Sequence, residues 1–236
     1  MLRIPILMYH SISDDNFFLS VSKNKFLKQL SFLKKIGFET INFDNITNAN
    51  KKNFIITFDD GYKDNLTNAL PILRKFNYKA TVFVVSNKLG KYNDWDINYP
   101  KFKKKKLMNV NEIKKWISAG CKIGSHSSNH LNLTNLHISH LKKEILDSKN
   151  FLEKTFEKNI DIFSYPYGKL NQSTYNMVKK NYKYAVTTIR SRYDISSHDL
   201  ILLPRIPINS NTGFFKFVIK FLTSYEDLKY KNDFSL

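Results

Sequence analysis

Short apolar runs alternate along this chain with segments of helical period, and that alternation points to a βα repeat built on a mainly parallel sheet. Ile4 to Tyr9 reads as a strand, and Lys25 to Ile36 as a helix with Phe26, Leu30, Leu33 and Ile36 on one side and Gly37 as its stop. Phe54 to Phe58 is the next strand, followed by a helix from about Asn65 to Phe76. Ala80 to Val85 is apolar enough for a strand covered on both faces. Further on, Val110 to Ala119 suits a helix and Cys121 to Gly124 a short strand. Thr134 is a candidate cap for a long helix reaching Phe156, with Leu141, Ile145, Leu152 and Phe156 as its buried stripe. Strands near Ile162 to Tyr165, Tyr184 to Thr188 and Ile201 to Ile206 precede a last helix from about Thr212 to Leu222.

The rhythm breaks only over residues 87–109, where Tyr92, Trp95, Tyr99 and the run Lys103 to Lys106 read as a loop insertion. No Pro/Gly/Ser-rich linker and no internal repeat divides the chain. The expectation is one α/β domain, a barrel of about seven βα units, and 236 residues suffice for it.

Composition excludes several classes. Cys121 is the single cysteine, so no internal disulfide framework exists. The start, Met1 to His10, has a short apolar run interrupted by Pro5, unlike a secretory leader, and no stretch approaches the roughly 18 to 20 apolar residues of a membrane span. A cytoplasmic protein is the expectation, with a peripheral place at the inner face of the membrane as a variant. The formal net charge is +18, yet only five of the 38 basic residues are arginine (Arg3, Arg74, Arg190, Arg192, Arg205). Lysine and asparagine abundance reads first as compositional bias. The alternative is recruitment of an anionic partner: an acidic lipid surface, a phosphate-bearing glycan carrier or nucleic acid. Nucleic-acid binding would call for arginine forks and stacking aromatics on a basic face, and the sequence has no such cluster.

The chemistry concentrates at strand ends. Asp59-Asp60-Gly61 follows Phe54-Ile55-Ile56-Thr57-Phe58, and His126-Ser127-Ser128-Asn129-His130 follows the short strand ending near Gly124. Sites in α/β folds lie at the carboxyl ends of strands. One carboxylate and two imidazoles form a common ligand set for a catalytic zinc, which leaves the second carboxylate free as a base. Phe163-Ser164-Tyr165-Pro166-Tyr167-Gly168 closes another short strand, and its Pro/Gly turn is suited to aiming a backbone N–H at an oxyanion.

With these residues in place, the sequence resembles the polysaccharide deacetylases, carbohydrate esterase family four, which carry the NodB homology domain. Thr57-Phe58-Asp59-Asp60 is similar to the family's first motif, His126-Ser127-Ser128-Asn129-His130 to its His-(Ser/Thr)-x-x-His second motif, and Tyr165-Pro166-Tyr167-Gly168 to the core of its third. Pro5-Ile6-Leu7-Met8-Tyr9-His10 resembles the subgroup acting on N-acetylglucosamine polymers. The resemblance spans roughly residues 4 to 210. It implies a distorted (β/α)7-type barrel and a divalent metal held by Asp60, His126 and His130, with zinc first and cobalt, nickel, iron or manganese also suited. It further implies Asp59 as general base, the Tyr167 N–H in the oxyanion hole, and Tyr165, Pro166 and Tyr167 along an N-acetylated glycan substrate.

Two departures from the family pattern stand out. Many members place an arginine just before the third motif's proline to orient the base; Ser164 and Tyr165 stand there instead, and Arg205 in Leu203-Pro204-Arg205-Ile206-Pro207 is the candidate replacement. The late leucine-x-histidine run that supplies the acid is missing, since His198 lies in a polar loop, and His10 becomes the candidate acid. His137 and His140 read as solvated helix residues.

In the last helix Phe214, Phe215, Phe217, Val218, Phe221 and Leu222 fall mostly on one face opposite Lys216 and Lys220, which suits core packing first and an anionic membrane or lipid-linked sugar second. The leading functional expectation is a metal-dependent N-deacetylase of N-acetylated sugars. O-deacetylation, deformylation of an amino sugar, or a non-catalytic glycan- or membrane-binding module are the competitors.

Overall fold

A computed structural model describes residues 2–15, 17–97, 102–197 and 199–229. His198 and Tyr99 lie outside the described residues. Among the described residues, seven strands form the continuous path of an eight-stranded parallel sheet, in which Glu39–Thr40 pairs beside Asn53–Phe54: β1 (Ile6–Tyr9), β2 (Asn53–Phe58), β3 (Thr81–Val84), β4 (Lys122–Ser125), β5 (Ile162–Ser164), β6 (Tyr184–Val186) and β7 (Ile206–Pro207). Their order in the sheet is β6-β5-β4-β3-β2-β1-β7. In register, Tyr9 lies opposite Phe58, Thr57 opposite Thr81, and Val84 opposite Ser125. The sheet therefore curls with its strand C-termini gathered at one end, as the βα alternation predicts.

The two edges of the sheet meet through the segment after Ile201. Leu203 exchanges backbone hydrogen bonds with β6 (Thr187 N–H to Leu203 O and Leu203 N–H to Ala185 O, both 2.9 Å), and Ile206 pairs with Leu7 of β1. The strand expected over Ile201 to Ile206 shrinks to two residues because Pro204 and Pro207 bring no N–H to a ladder. That switch of partners is what carries Arg205 to the barrel axis.

Helices α1 (Lys23–Lys35), α2 (Leu70–Lys75), α3 (Val110–Ser118), α4 (Ile138–Lys142), α5 (Ser148–Phe156), α6 (Gln172–Asn181), α7 (Phe214–Leu222) and α8 (Tyr225–Lys229) accompany the sheet. Ser22 caps α1 through the Lys25 N–H, and Phe26, Leu30 and Leu33 are buried as the period requires. The long helix begins at Ile138 rather than at Thr134. His137 is its cap, while Thr134 sits in a 3-10 turn whose Asn132 carboxamide accepts from Thr134. Lys143–Asp147, between α4 and α5, is a π turn. His137 and His140 are exposed, as expected.

The last helix departs from its expected amphipathicity. Phe217 and Phe221 pack inward, with the Phe221 ring edge-on to Phe38 (4.9 Å) and Phe54 (5.5 Å). Lys220 is buried, not opposite them: its ammonium donates to the Pro207 carbonyl (2.7 Å) and pairs with buried Glu226 of α8 (2.6 Å). The helix is rotated to satisfy that carbonyl, so Phe215 is 84% exposed and Ile219 and Leu222 face outward. Among the described residues no helix is long and apolar enough to cross a membrane.

Candidate metal centre

Backbone geometry delivers the carboxylate pair. The Asp59 N–H still bonds Tyr9 O (3.0 Å), extending the ladder by one residue, and the chain then turns left-handed at Asp60 (φ 71°) and Gly61 (φ 75°). A left-handed aspartate costs strain that only a well-determined site retains. The two carboxylates consequently diverge, Asp59 toward the barrel axis and Asp60 toward the histidine loop.

That loop leaves β4 with the His126 N–H on Val84 O (3.0 Å), and Ser127 and His130 are both left-handed (φ 63° and 60°). Glu144 holds it from the π turn: one carboxylate oxygen accepts the Ser128 and Asn129 N–H groups (3.1 and 2.8 Å), the other the Asn129 carboxamide (2.6 Å). Ser148 adds a bond to Ser127 O (3.1 Å). Sequence reasoning missed Glu144 and Ser148. Their signal was a glutamate and a serine at the spacing of the stripe Leu141, Ile145, Leu152, polar residues where burial was expected. π turns recur at functional sites.

Asp60, His126 and His130 converge. Their ligand atoms lie within 4.8 Å of one another, and both Nε2 atoms point at Asp60 Oδ1, at 3.5 Å from His126 and 3.4 Å from His130. Donors about 2.0–2.2 Å from a shared tetrahedral ion lie about 3.3–3.6 Å apart, so the trio fits a divalent metal. His126 Nδ1 faces the Ser164 carbonyl at 2.8 Å; a carbonyl only accepts, so Nδ1 carries the proton and Nε2 keeps its lone pair for a ligand. Burial and the neighbouring His126 push the His130 imidazole down to about 3, which keeps it neutral, as ligation requires. Burial raises the Asp60 carboxyl, but the nearby imidazole of His126 and the surrounding histidines outweigh it and hold the carboxyl well below the ordinary carboxylate range, so it is ionised.

Arg205 reaches Asp59 across 146 positions of sequence. Its guanidinium, 0% exposed, forms a two-pronged pair with the carboxylate (Nη1–Oδ1 and Nη2–Oδ2, both 2.7 Å). Further bonds run to Thr57 Oγ1 (3.1 Å), Ser164 Oγ (3.2 Å) and Thr187 O (2.8 Å). Ser164 occupies the stretch where the family pattern has arginine, and its hydroxyl contacts the guanidinium arriving from β7. Burial raises the Asp59 carboxyl, yet Arg205 by charge and hydrogen bonding more than reverses this, so Asp59 is ionised.

His10 follows β1, half-buried, with its carbonyl held by the Asn65 carboxamide (2.7 Å). Burial lowers its pKa, partly opposed by Asp60 and Asp59, which places the imidazole within electrostatic reach of both carboxylates. Of the third turn, Tyr167 alone presents its side chain: it is 36% exposed, left-handed (φ 59°), and its ring meets the His130 ring edge at 4.6 Å. Tyr165 and Pro166, expected along the substrate, are buried, and the Tyr165 side chain packs at 0% exposure in the main core against Phe163 (5.3 Å). Alternation along the strand turns it inward.

A profile described as polysaccharide deacetylase matches residues 47–186, well over half of the chain and including both ligand loops. The chain belongs to the polysaccharide deacetylase family. YxkH of Bacillus subtilis (strain 168), whose name assigns it to the polysaccharide deacetylases, is 32% identical over 194 residues, covering 79% of this chain and 64% of its own length. This chain thus spans somewhat under two thirds of that relative. The poly-beta-1,6-N-acetyl-D-glucosamine N-deacetylase of Staphylococcus epidermidis is 26% identical over 219 residues, 89% of this chain and 74% of that protein. The solved Streptococcus pyogenes deacetylase PplD in complex with acetate superposes with a TM-score of 0.80 at 27% identity, covering 93% of this chain and 98% of that one. The third turn of this chain is constrained at Gly168 (φ 68°): a Cβ on it would lie 1.9 Å from Thr188 Oγ1. Gly168→Ala is expected to lower the urea midpoint by an amount equivalent to about 1–3 kcal/mol, the usual cost of forced backbone strain. A variant with the wild-type midpoint would show that the turn is not so constrained.

Proposed function

We propose that this chain is a divalent-metal-dependent hydrolase that removes acetyl groups from the nitrogen of N-acetylated sugar units in a glycan. The observation that carries the reading is the Asp60–His126–His130 trio with an arginine-clamped second carboxylate, Asp59, on the adjacent residue. Asp60 and the two imidazole Nε2 atoms would hold the ion, zinc first among the metals this donor set suits. When bound, the metal acidifies water and polarises the acyl carbonyl.

The other steps belong to this chain's residues. Asp59, held ionised by Arg205, accepts the proton of the attacking water; Arg205 fixes the direction of the receiving oxygens and stays protonated. The Tyr167 N–H, carried by the rigid Pro166–Gly168 turn, donates to the oxyanion. His10 serves as the proton donor to the departing amine, being the imidazole, among the described residues, that both carboxylates influence and the ligand set does not use. The Tyr167 ring lines the approach.

Names of relatives suggest the first substrate to try, poly-beta-1,6-linked N-acetylglucosamine. Acetate release should be followed on short N-acetylglucosamine oligomers, O-acetylated xylan fragments and an N-formyl amino sugar. N-linked acetate release from the first set is expected; release confined to O-acetyl or formyl substrates would transfer the site to one of those chemistries. His126→Ala and His130→Ala should each lose both bound metal and turnover, measured by elemental analysis beside the acetate assay.

A further inference from the structure

The two histidine ligands are held by different means. His126 has an orienting hydrogen bond from Nδ1 to the Ser164 carbonyl (2.8 Å). Metal-binding histidines nearly always have such a partner, and losing it weakens the site. His130 has none among the described residues: its Nδ1 is buried and makes no hydrogen bond. Its ring is instead enclosed by rings. Trp95 stacks on it at 4.6 Å with an interplanar angle of 23°, and Tyr167 meets it edge-on at 4.6 Å from another direction.

Trp95 belongs to the 87–109 insertion, which the proposed mechanism leaves without a part. Its described parts, residues 87–97 and 102–109, are firmly built. Buried Asn93 accepts from the Lys105 N–H (2.6 Å) and donates to Lys103 O (3.1 Å) and the Tyr62 hydroxyl (3.2 Å). Leu107, Phe17 and Tyr62 form a small apolar cluster against which Trp95 packs. The insertion is also fastened to the Asp60 turn itself, through Met108 N–H to Gly61 O (2.9 Å) and Lys63 N–H to Lys106 O (2.9 Å). The indole Nε1 is buried without a hydrogen bond among the described residues, so packing and ring contact, not a hydrogen bond, hold the indole over His130.

We infer that Trp95 is a positioning residue for the metal site: its indole, delivered by the insertion, fixes the ring orientation of His130 in place of the missing hydrogen bond, so that the insertion sets metal affinity. The inference rests on the metal reading given above. It makes Trp95 part of the ligand frame rather than a platform for sugar.

The test uses chelator-stripped full-length protein titrated with zinc against a chromogenic chelator, and with cobalt while tryptophan emission is followed. The chain has two tryptophans, and Trp116 is fully buried with its indole N–H on Lys122 O, so the metal-linked change in emission is expected from Trp95. Trp95→Leu, which keeps apolar bulk without a stacking ring, should weaken zinc binding by about tenfold, at the low end of what losing a ligand's orienting partner does. Trp95→Phe should keep the wild-type affinity and lose the emission change. Trp95→Leu with wild-type zinc affinity and a raised KM would overturn the inference in favour of a sugar platform. Wild-type protein that binds no metal would overturn both the inference and the reading beneath it.

Discussion

Asp59→Asn is expected to leave a protein that folds, binds its metal with wild-type stoichiometry and turns over at least about 10² more slowly, the usual contribution of a positioned general base. The expectation follows from the division of labour at one dipeptide. Asp60 faces His126 and His130 at 3.5 and 3.4 Å, whereas Asp59 faces Arg205 at 2.7 Å through both oxygens. An asparagine keeps the shape and one acceptor toward the guanidinium but cannot take a proton. Acetate release and metal content measured on the same preparation decide the matter. An Asp59→Asn enzyme of undiminished rate would remove the base from the mechanism.

The second large effect is expected at Arg205. Arg205→Ala leaves the Asp59 carboxylate buried with its counter-charge gone, a change that typically destabilises by about 3–5 kcal/mol. The pH dependence has a definite sign. In the wild type the Asp59 pKa is depressed below its ordinary value, so its contribution to stability is present above the unfolded carboxylate pKa and is lost as pH falls through the folded value. Without Arg205, burial is opposed only by the weaker pull of His126 and His10, and the pKa rises. The stability deficit of the variant should then be largest at neutral pH and should shrink on acidification, as the carboxyl becomes protonated. The acid limb of kcat/KM should move to higher pH, because the base must be ionised to act. Arg205→Lys keeps a charge without the planar fork and should fall between the two. Urea unfolding across the acid range, with pH–rate profiles beside it, provides the measurement; a variant matching the wild type in both would show the pair to be idle.

Much of the barrel was legible because its signals are local. A strand such as Thr81–Val84 and a helix such as α1 declare themselves by burial period, and the two ligand loops by residue type at a strand end. The base clamp was half legible: the serine at Ser164 showed that an arginine was missing, but only the return of β7 between β6 and β1 brings Arg205 across 146 residues to fill the role. Tyr165 read as a site residue because its motif does, yet its strand turns it into the core.

Other features were hidden because they depend on pairs of distant segments. Glu144 closing the histidine loop requires the π turn of the following helix to approach β4, and Trp95 over His130 requires an insertion whose period carries no signal. Lys220 looked like a surface lysine until the proline-bearing β7 left a carbonyl for it. Long-range polar satisfaction, rather than hydrophobic pattern, accounts for what the sequence reading lacked.

The most direct test of the whole account is a metal titration of the stripped protein, wild type beside His126→Ala, with acetate release from N-acetylglucosamine oligomers read at each point. Activity that appears in proportion to one equivalent of divalent ion, and in neither respect for the variant, is the predicted result. Full activity in metal-free protein, or unaltered binding by the variant, would contradict it.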